Sequence, residues 1–148
     1  MSRAPFQILV HPYRMTQQGL IEYAVFQRAD AGFWQGVEGG GEDDETPLQA
    51  AMRETYEETG LDIQSGWIEL DTTASIPVTA FRDFFLWGED VYVIPQYSLG
   101  VLVQGLEITL SHEHKSYRWL PYQEAYDCLK FDSGRTTLWE LNQRLMRG

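Results

Sequence analysis

Residues 39–61 read GGGEDDETPLQAAMRETYEETGL, a run dense in carboxylates that carries its own helix start and stop. Thr46-Pro47-Leu48-Gln49 has the form of a capping box with proline at the first helical position, which marks an N-terminus. Gly60 supplies the left-handed residue that ends a helix. Between them fit roughly 13 residues, a rod of about 20 Å. At about 100° per residue, Leu48, Met52, Thr55 and Thr59 fall on one stripe, expected to face the core. Glu54, Glu57 and Glu58 fall within an arc of roughly 100° on a neighbouring face. The spacing therefore predicts a helix with a core side and a carboxylate side.

Like charges three or four residues apart destabilise a helix, so three glutamates on one face need a reason. A solvated surface is the usual one. Two features argue for another: no lysine stands among these residues, leaving Arg53 as the single cation, and the helix follows Glu38-Gly39-Gly40-Gly41, read as a loop that lets backbone approach a ligand. Clustered carboxylates without histidine or cysteine suit hard divalent cations, Mg²⁺ or Mn²⁺, rather than zinc. The alternating acidic loop of an EF-hand and the Walker A phosphate loop are both absent.

The spacing Gly39, five residues, Glu45, seven residues, then Arg53-Glu54-Thr55-Tyr56-Glu57-Glu58-Thr59-Gly60-Leu61 resembles the Nudix box, GX5EX7REUXEEXGU, where U is a bulky aliphatic. Thr55 alone departs from it, at the first aliphatic position. It lies on the expected core stripe, so a packing adjustment with unaltered chemistry is expected, although a buried hydroxyl needs a partner. The resemblance implies the Nudix α/β/α sandwich around a mixed sheet, and a hydrolase of diphosphate bonds. It also implies roles. Glu57 and Glu58 would be metal ligands, Glu54 a ligand or the general base, and the backbone carbonyl of Glu38 a further oxygen ligand. Glu45 would reach the site through water or Arg53, and Arg53 would orient the glutamates, since its fork suits two carboxylates at once. Glu113, in Glu113-His114-Lys115-Ser116-Tyr117-Arg118-Trp119-Leu120, stands where Nudix triphosphatases place an acidic residue from outside the box. His112 and His114 are read either as surface residues or as proton carriers. Glu38 and Gly40-Gly41 depart from the commoner proline-glycine lead-in to the box.

The rest of the chain sets bounds. Its 148 residues suffice for one domain with a real core, and 43% hydrophobic and 14% aromatic residues fit a compact globule. A formal charge of −11 argues against nucleic-acid polymers as partners and would repel a phosphate substrate unless bound cations offset it. Cys128 is the only cysteine, which excludes an internal disulfide and suggests a reducing compartment. No signal-peptide core or membrane-length apolar run is present, so a cytoplasmic monomer or homodimer is expected.

Period-2 runs predict strands at residues 6–13, 20–27, 33–37, 67–72, 91–103 and 117–120, the first two forming a hairpin through Gln17-Gln18-Gly19. A short helix is expected at 121–127 and a longer one from Asp132-Ser133, with Leu138, Leu141 and Leu145 at helical spacing. The class is α+β.

Substrate features are sparser. Arg28 ends a strand just before the box and could meet phosphate. Phe33-Trp34-Gln35-Gly36-Val37, with the run after Glu113, resembles bacterial dihydroneopterin triphosphate and dATP pyrophosphohydrolases. Trp34 and Phe84, the latter within an aromatic segment at 81–87 that could stack a flat ring, are the substrate-binding candidates. The expected reaction is Mg²⁺-dependent cleavage of a nucleoside triphosphate-like phosphoanhydride to monophosphate and pyrophosphate. The alternatives are hydrolysis of diadenosine polyphosphates, and nucleotide binding without turnover.

Overall fold

A computed structural model describes residues 2–81 and 84–148, without the side chains of Phe84 and Phe85. Seven strands form one mixed sheet: β1 (Arg3–Met15), β2 (Ile21–Arg28), β3 (Trp34–Gln35), β4 (Val37–Glu42), β5 (Trp67–Pro77), β6 (Val93–Leu102) and β7 (His114–Pro121). Helix α1 (Pro47–Thr59) follows β4, while α2 (Tyr122–Cys128) and α3 (Asp132–Arg147) close the chain.

The hairpin forms as its sequence predicts, with the turn closed by Gly19 N–H donating to Thr16 O at 2.9 Å. Its strands pair only near the turn, from Tyr13 opposite Tyr23 to Met15 opposite Ile21. Beyond that point they part. β4 then runs antiparallel beside β1, and β3 and β7 pair with β2, while β6 lies parallel to β1 on its other edge. Gly36 makes the crossing between β3 and β4 possible: a Cβ there would lie 2.6 Å from Val10 O.

Alternation on β2 feeds two cores. Ala24 and Phe26 join Ile8, Val10, Leu99 and the α1 residues Ala50 and Ala51 on one face; Tyr23 and Val25 join Leu129, Leu138 and Leu141 on the other. The result is the expected helix–sheet–helix sandwich. Gly100 lets α3 close on the sheet, since a Cβ there would meet Leu141 Cδ1 at 2.6 Å.

Two expectations need correction. Residues 39–41 are strand, not loop: the glycines are required because neighbouring side chains occupy the space over them. A Cβ would fall on the Glu54 carboxyl at Gly39, on the Arg3 guanidinium at Gly40 and on the Phe6 ring at Gly41. The buried stripe of α1 is also rotated from the expected one. Ala50, Ala51, Thr55, Glu58 and Thr59 are buried, while Leu48 and Met52 are only half-buried. Small alanines let the helix sit close to the sheet, and that rotation carries Glu58 inward.

Candidate active site

The capping box of α1 is formed in both directions, Gln49 N–H to Thr46 Oγ1 and Thr46 N–H to Gln49 Oε1, and Gly60 closes the helix at φ 73°. This fixed rod presents Arg53, Glu54, Glu57 and Glu58 to β4. Arg53 is the hub. Its Nε and NH2 donate to the two oxygens of Glu45 at 2.8 and 3.0 Å, its NH1 to Glu54 Oε1 at 2.8 Å and to Glu57 Oε2 at 3.1 Å, and its NH2 also to Gly40 O at 2.8 Å. Glu45 Oε1 in turn accepts from Glu42 N–H at 2.8 Å, so helix, preceding turn and strand are tied through one guanidinium. Hydrogen bonds to Glu45, ahead of those to Glu54, hold Arg53 firmly protonated.

Glu58 is different. It is 2% exposed, and neither carboxyl oxygen has a hydrogen-bond partner. Burial first, then the neighbouring Glu54, Glu113 and Glu38, drive its proton affinity far up. Glu54 shifts the same way, again mainly through burial, opposed first by its contact with the Glu58 carboxyl, with which it can share a proton, and then by Arg53. Glu38 is pushed up to about 7 by burial, against the counteracting charge of Arg28. Partnerless buried carboxylate oxygens amid other carboxylates are what a hard cation can satisfy, so the donor set fits Mg²⁺ or Mn²⁺. Among the described residues no three of these side chains already form a closed cage, and Glu57, 51% exposed, is turned toward Arg53.

Glu113 reaches this region from the loop before β7. Its carbonyl accepts from Ala29 N–H at 2.9 Å, which brings it beside Arg28, and its charge acts on both Arg28 and Glu58. Arg28, Ala29, Asp30, Ala80, His112 and Glu113 line an open cleft of about 680 Å³, large enough for a triphosphate-bearing ligand. Arg28 enters it held by Asp30 through two bonds, of 3.0 and 2.8 Å.

A NUDIX domain model matches residues 13–140. This chain is a Nudix hydrolase. Bis(5'-nucleosyl)-tetraphosphatase [asymmetrical] of Sus scrofa is 31% identical over 129 residues, covering 84% of this chain and 81% of the relative. Dihydroneopterin triphosphate diphosphatase of Haemophilus influenzae is 31% identical over 103 residues, covering 68% and 65%. Among solved structures, a Listeria monocytogenes chain assigned to the NUDIX hydrolases superposes with a TM-score of 0.87 at 39% identity, covering 97% of this chain and 96% of that one. Dihydroneopterin triphosphate pyrophosphohydrolase of E. coli gives 0.76 at 27%, covering 96% and 99%. The chain is accordingly a pyrophosphohydrolase of this family, whose enzymes act on small phosphoanhydrides.

For this Nudix hydrolase the sequence-derived candidates sort by position. Arg53, Glu54 and Glu57 form one hydrogen-bonded group, with Glu58 on the buried side of the same helix and Glu38 and Glu113 within electrostatic reach of it. Arg28 faces that group. Trp34 is not among the residues lining the Arg28 cleft: Arg118 lies over its ring at 5.2 Å, and with Phe131 and Glu38 it lines a separate slot with room for about one water. The side chain of Phe84 lies outside the described residues. In the same segment Phe81 and Trp87 pack edge to face, 5.9 Å apart, with the Arg3 guanidinium over both rings. Trp87 Nε1–H donates to Arg3 O at 3.0 Å, so this pair fastens the N-terminal strand.

The fold delivers two further residues here, and His114 is not the surface residue that its sequence context allowed. His114 has a fully buried side chain beside Glu58, and Gln35 is bonded to it. Burial lowers the proton affinity of His114. The side chain of Glu38, expected to contribute only its carbonyl, also faces Arg28. Among the described residues no helix is long and apolar enough to cross a membrane.

Proposed function

We propose that this Nudix hydrolase is a Mg²⁺- or Mn²⁺-dependent enzyme that splits a nucleoside triphosphate-like substrate, a deoxynucleoside triphosphate or dihydroneopterin triphosphate, into monophosphate and pyrophosphate. The observation that carries this reading is the buried, partnerless Glu58 carboxylate among Glu54, Glu38 and Glu113, beside a cleft that contains Arg28. Glu57 and Glu58, with Glu54, Glu113 and the Glu38 carbonyl, would hold the cation. A bound divalent cation supplies neutralisation of the phosphate oxygens and polarisation of the attacked phosphorus. Arg28 contacts the phosphate chain, and Asp30 keeps its guanidinium in the cleft. Arg53 keeps Glu54 and Glu57 in place.

Hydrolysis needs a water oxygen to bond to one phosphorus as the bridging P–O bond breaks, with the water's proton taken by a carboxylate. Glu54 suits that task, since burial raises its proton affinity and Arg53 fixes its Oε1. Glu113, which lines the cleft together with Asp30 and Arg28, is the second candidate for that task.

Cleavage of dinucleoside tetraphosphates is the second reading, favoured by the similarity to the Sus scrofa tetraphosphatase across most of both chains. One experiment addresses both. The purified protein is given Mg²⁺ and a panel of triphosphates, dihydroneopterin triphosphate and diadenosine tetraphosphate, and products are resolved by phosphorus NMR. Pyrophosphate release from a triphosphate, abolished by chelation, is the expected result. Nucleoside monophosphate plus nucleoside triphosphate from the tetraphosphate, with triphosphates in the panel untouched, would shift the assignment to the second reading. Absence of metal-dependent turnover across the panel would overturn both.

A further inference from the structure

Glu58 is approached by a second pair of buried polar side chains. Gln35 on β3 and His114 on β7 lie on strands that pair with opposite edges of β2, and the His114 ring packs 5.4 Å from Phe26. Gln35 is 5% exposed and His114 4%. Gln35 Nε2 lies 3.2 Å from His114 Nε2, and His114 Nδ1 lies 3.6 Å from Glu58 Oε1. Nδ1 has no hydrogen-bond partner, and neither does either oxygen of Glu58.

These atoms define a direction. An amide nitrogen only donates, so His114 Nε2 accepts from Gln35 and the ring proton of the neutral imidazole sits on Nδ1. That places an N–H opposite a carboxylate oxygen that lacks a donor. The reversed amide would place the ring proton on Nε2 and confront Glu58 with a second acceptor, so the assigned orientation is the one that answers the carboxylate. Two buried polar side chains beside Phe26 are costly unless they bond to something, and an aliphatic pair would fill the same space without that cost.

The geometry points to His114, oriented by Gln35, as a positioning residue for Glu58: its Nδ1–H takes Oε1 and turns Oε2 toward the cation. The inference rests on the reading of Glu58 as a cation ligand. Closing the gap from 3.6 Å to an ordinary hydrogen bond needs a movement of about 0.7 Å, within the reach of a side-chain adjustment. Groups that orient metal ligands in this way typically alter metal affinity by about 10–100-fold when removed.

The test is calorimetric titration of the substrate-free full chain with Mn²⁺, alongside kinetics and melting in chelator. His114→Leu should weaken Mn²⁺ binding at least about tenfold and lower kcat while leaving KM for the substrate near normal at saturating metal. His114→Asn, whose amide N–H can stand where Nδ1–H does, should recover most of the affinity; Gln35→Met, which frees the tautomer, should lose a few fold. Glu58→Gln separates the two levels. If it leaves Mn²⁺ binding unchanged, Glu58 is no ligand and the underlying reading fails. If it abolishes binding while His114→Leu and Gln35→Met bind as wild type, the positioning role alone is overturned. Equal losses in folded His114→Asn and His114→Leu would reduce His114 to packing. Should His114→Leu not fold, the Asn and Gln35 variants decide, with wild-type affinity in both counting against the role.

Discussion

Replacing Gly39 by alanine tests whether the first box glycine serves chemistry or packing. Gly39 does not lie in the left-handed region, so alanine fits the backbone. Its Cβ, however, would stand 2.2 Å from both Cδ and Oε2 of Glu54. Ordinary contact needs about 3.5 Å, so the carboxyl must retreat by roughly 1.3 Å. The obstacle is the end of a flexible side chain, yet Glu54 is not free to swing, because Arg53 NH1 holds its Oε1 at 2.8 Å. Losing that bond or adopting a poorer rotamer costs about 1–2 kcal/mol, a fall in melting temperature of about 2–8 °C at this size. The catalytic effect should be larger, since a misplacement of about 1 Å in a positioned group can cost about 100-fold in rate. Gly41→Ala is the control. Its Cβ would meet the Phe6 ring at 2.0 Å, and an aromatic ring packed edge-on against Tyr97 cannot fold away. That clash should lower stability by about 1–3 kcal/mol or more, with the folded fraction close to normal in kcat. Melting curves and kcat on the preferred panel substrate check the pair. Full kcat in Gly39→Ala, or the same pattern from both alanines, would refute the reasoning.

Three further outcomes are expected. Thr55 Oγ1 is buried without a partner, so Thr55→Val should raise stability by about 1 kcal/mol with activity unchanged, and a lower melting temperature would contradict this. Arg53→Lys keeps the charge but cannot hold Glu45, Glu54, Glu57 and Gly40 O together, so calorimetry should show a loss of about 2 kcal/mol and kinetics a fall in kcat of tenfold or more. Burial lifts Glu38 from 4.5 to about 7, so the folded state holds its proton more tightly and the group's stabilising share, present below pH 4.5, is lost as pH rises through 7. Glu38→Gln should therefore stabilise the chelated protein at pH 8, by at most about 3 kcal/mol, and change little at pH 4.5; equal shifts at both values would contradict the assignment.

The limits of helix α1 were legible because its signals are local: a cap, a proline and a stop lie at the ends of the segment they delimit. Strand positions followed from alternation, although β5 runs on to Pro77 and β7 begins at His114, where Thr72-Thr73-Ala74-Ser75 and His114-Lys115-Ser116 give little apolar contrast. Residues 39–41 were misread because glycine has no side chain to show a period. What demands glycine there comes from Arg3, Phe6 and Glu54, remote in sequence. The inward turn of Glu58 was hidden for the opposite reason. A hydrophobic stripe is counted from apolar residues, so a charged one carried into the core by close-packing alanines is assigned to the surface. His114 and Gln35 meet Glu58 only because β7 and β3 both pair with β2, which no spacing along the chain records.

The fold treats its carboxylates unequally, and that inequality links stability to function. Arg53 has Glu42 at 3.6 Å and bonds to Glu45, Glu54 and Glu57, so one cation serves four anions and holds them in place. Glu58 receives none of it. The outer group is thereby a rigid frame that exists without any ligand, whereas the inner carboxylate is exposed to the full cost of burial until a cation or a proton arrives. A chain with a formal charge of −11 adds to that cost through its overall field. Cation binding should then raise the melting temperature mainly through Glu58, because the Arg53 group is already satisfied. The acidic face of α1 is thus two structures on one helix, one made to be stable and the other left unsatisfied.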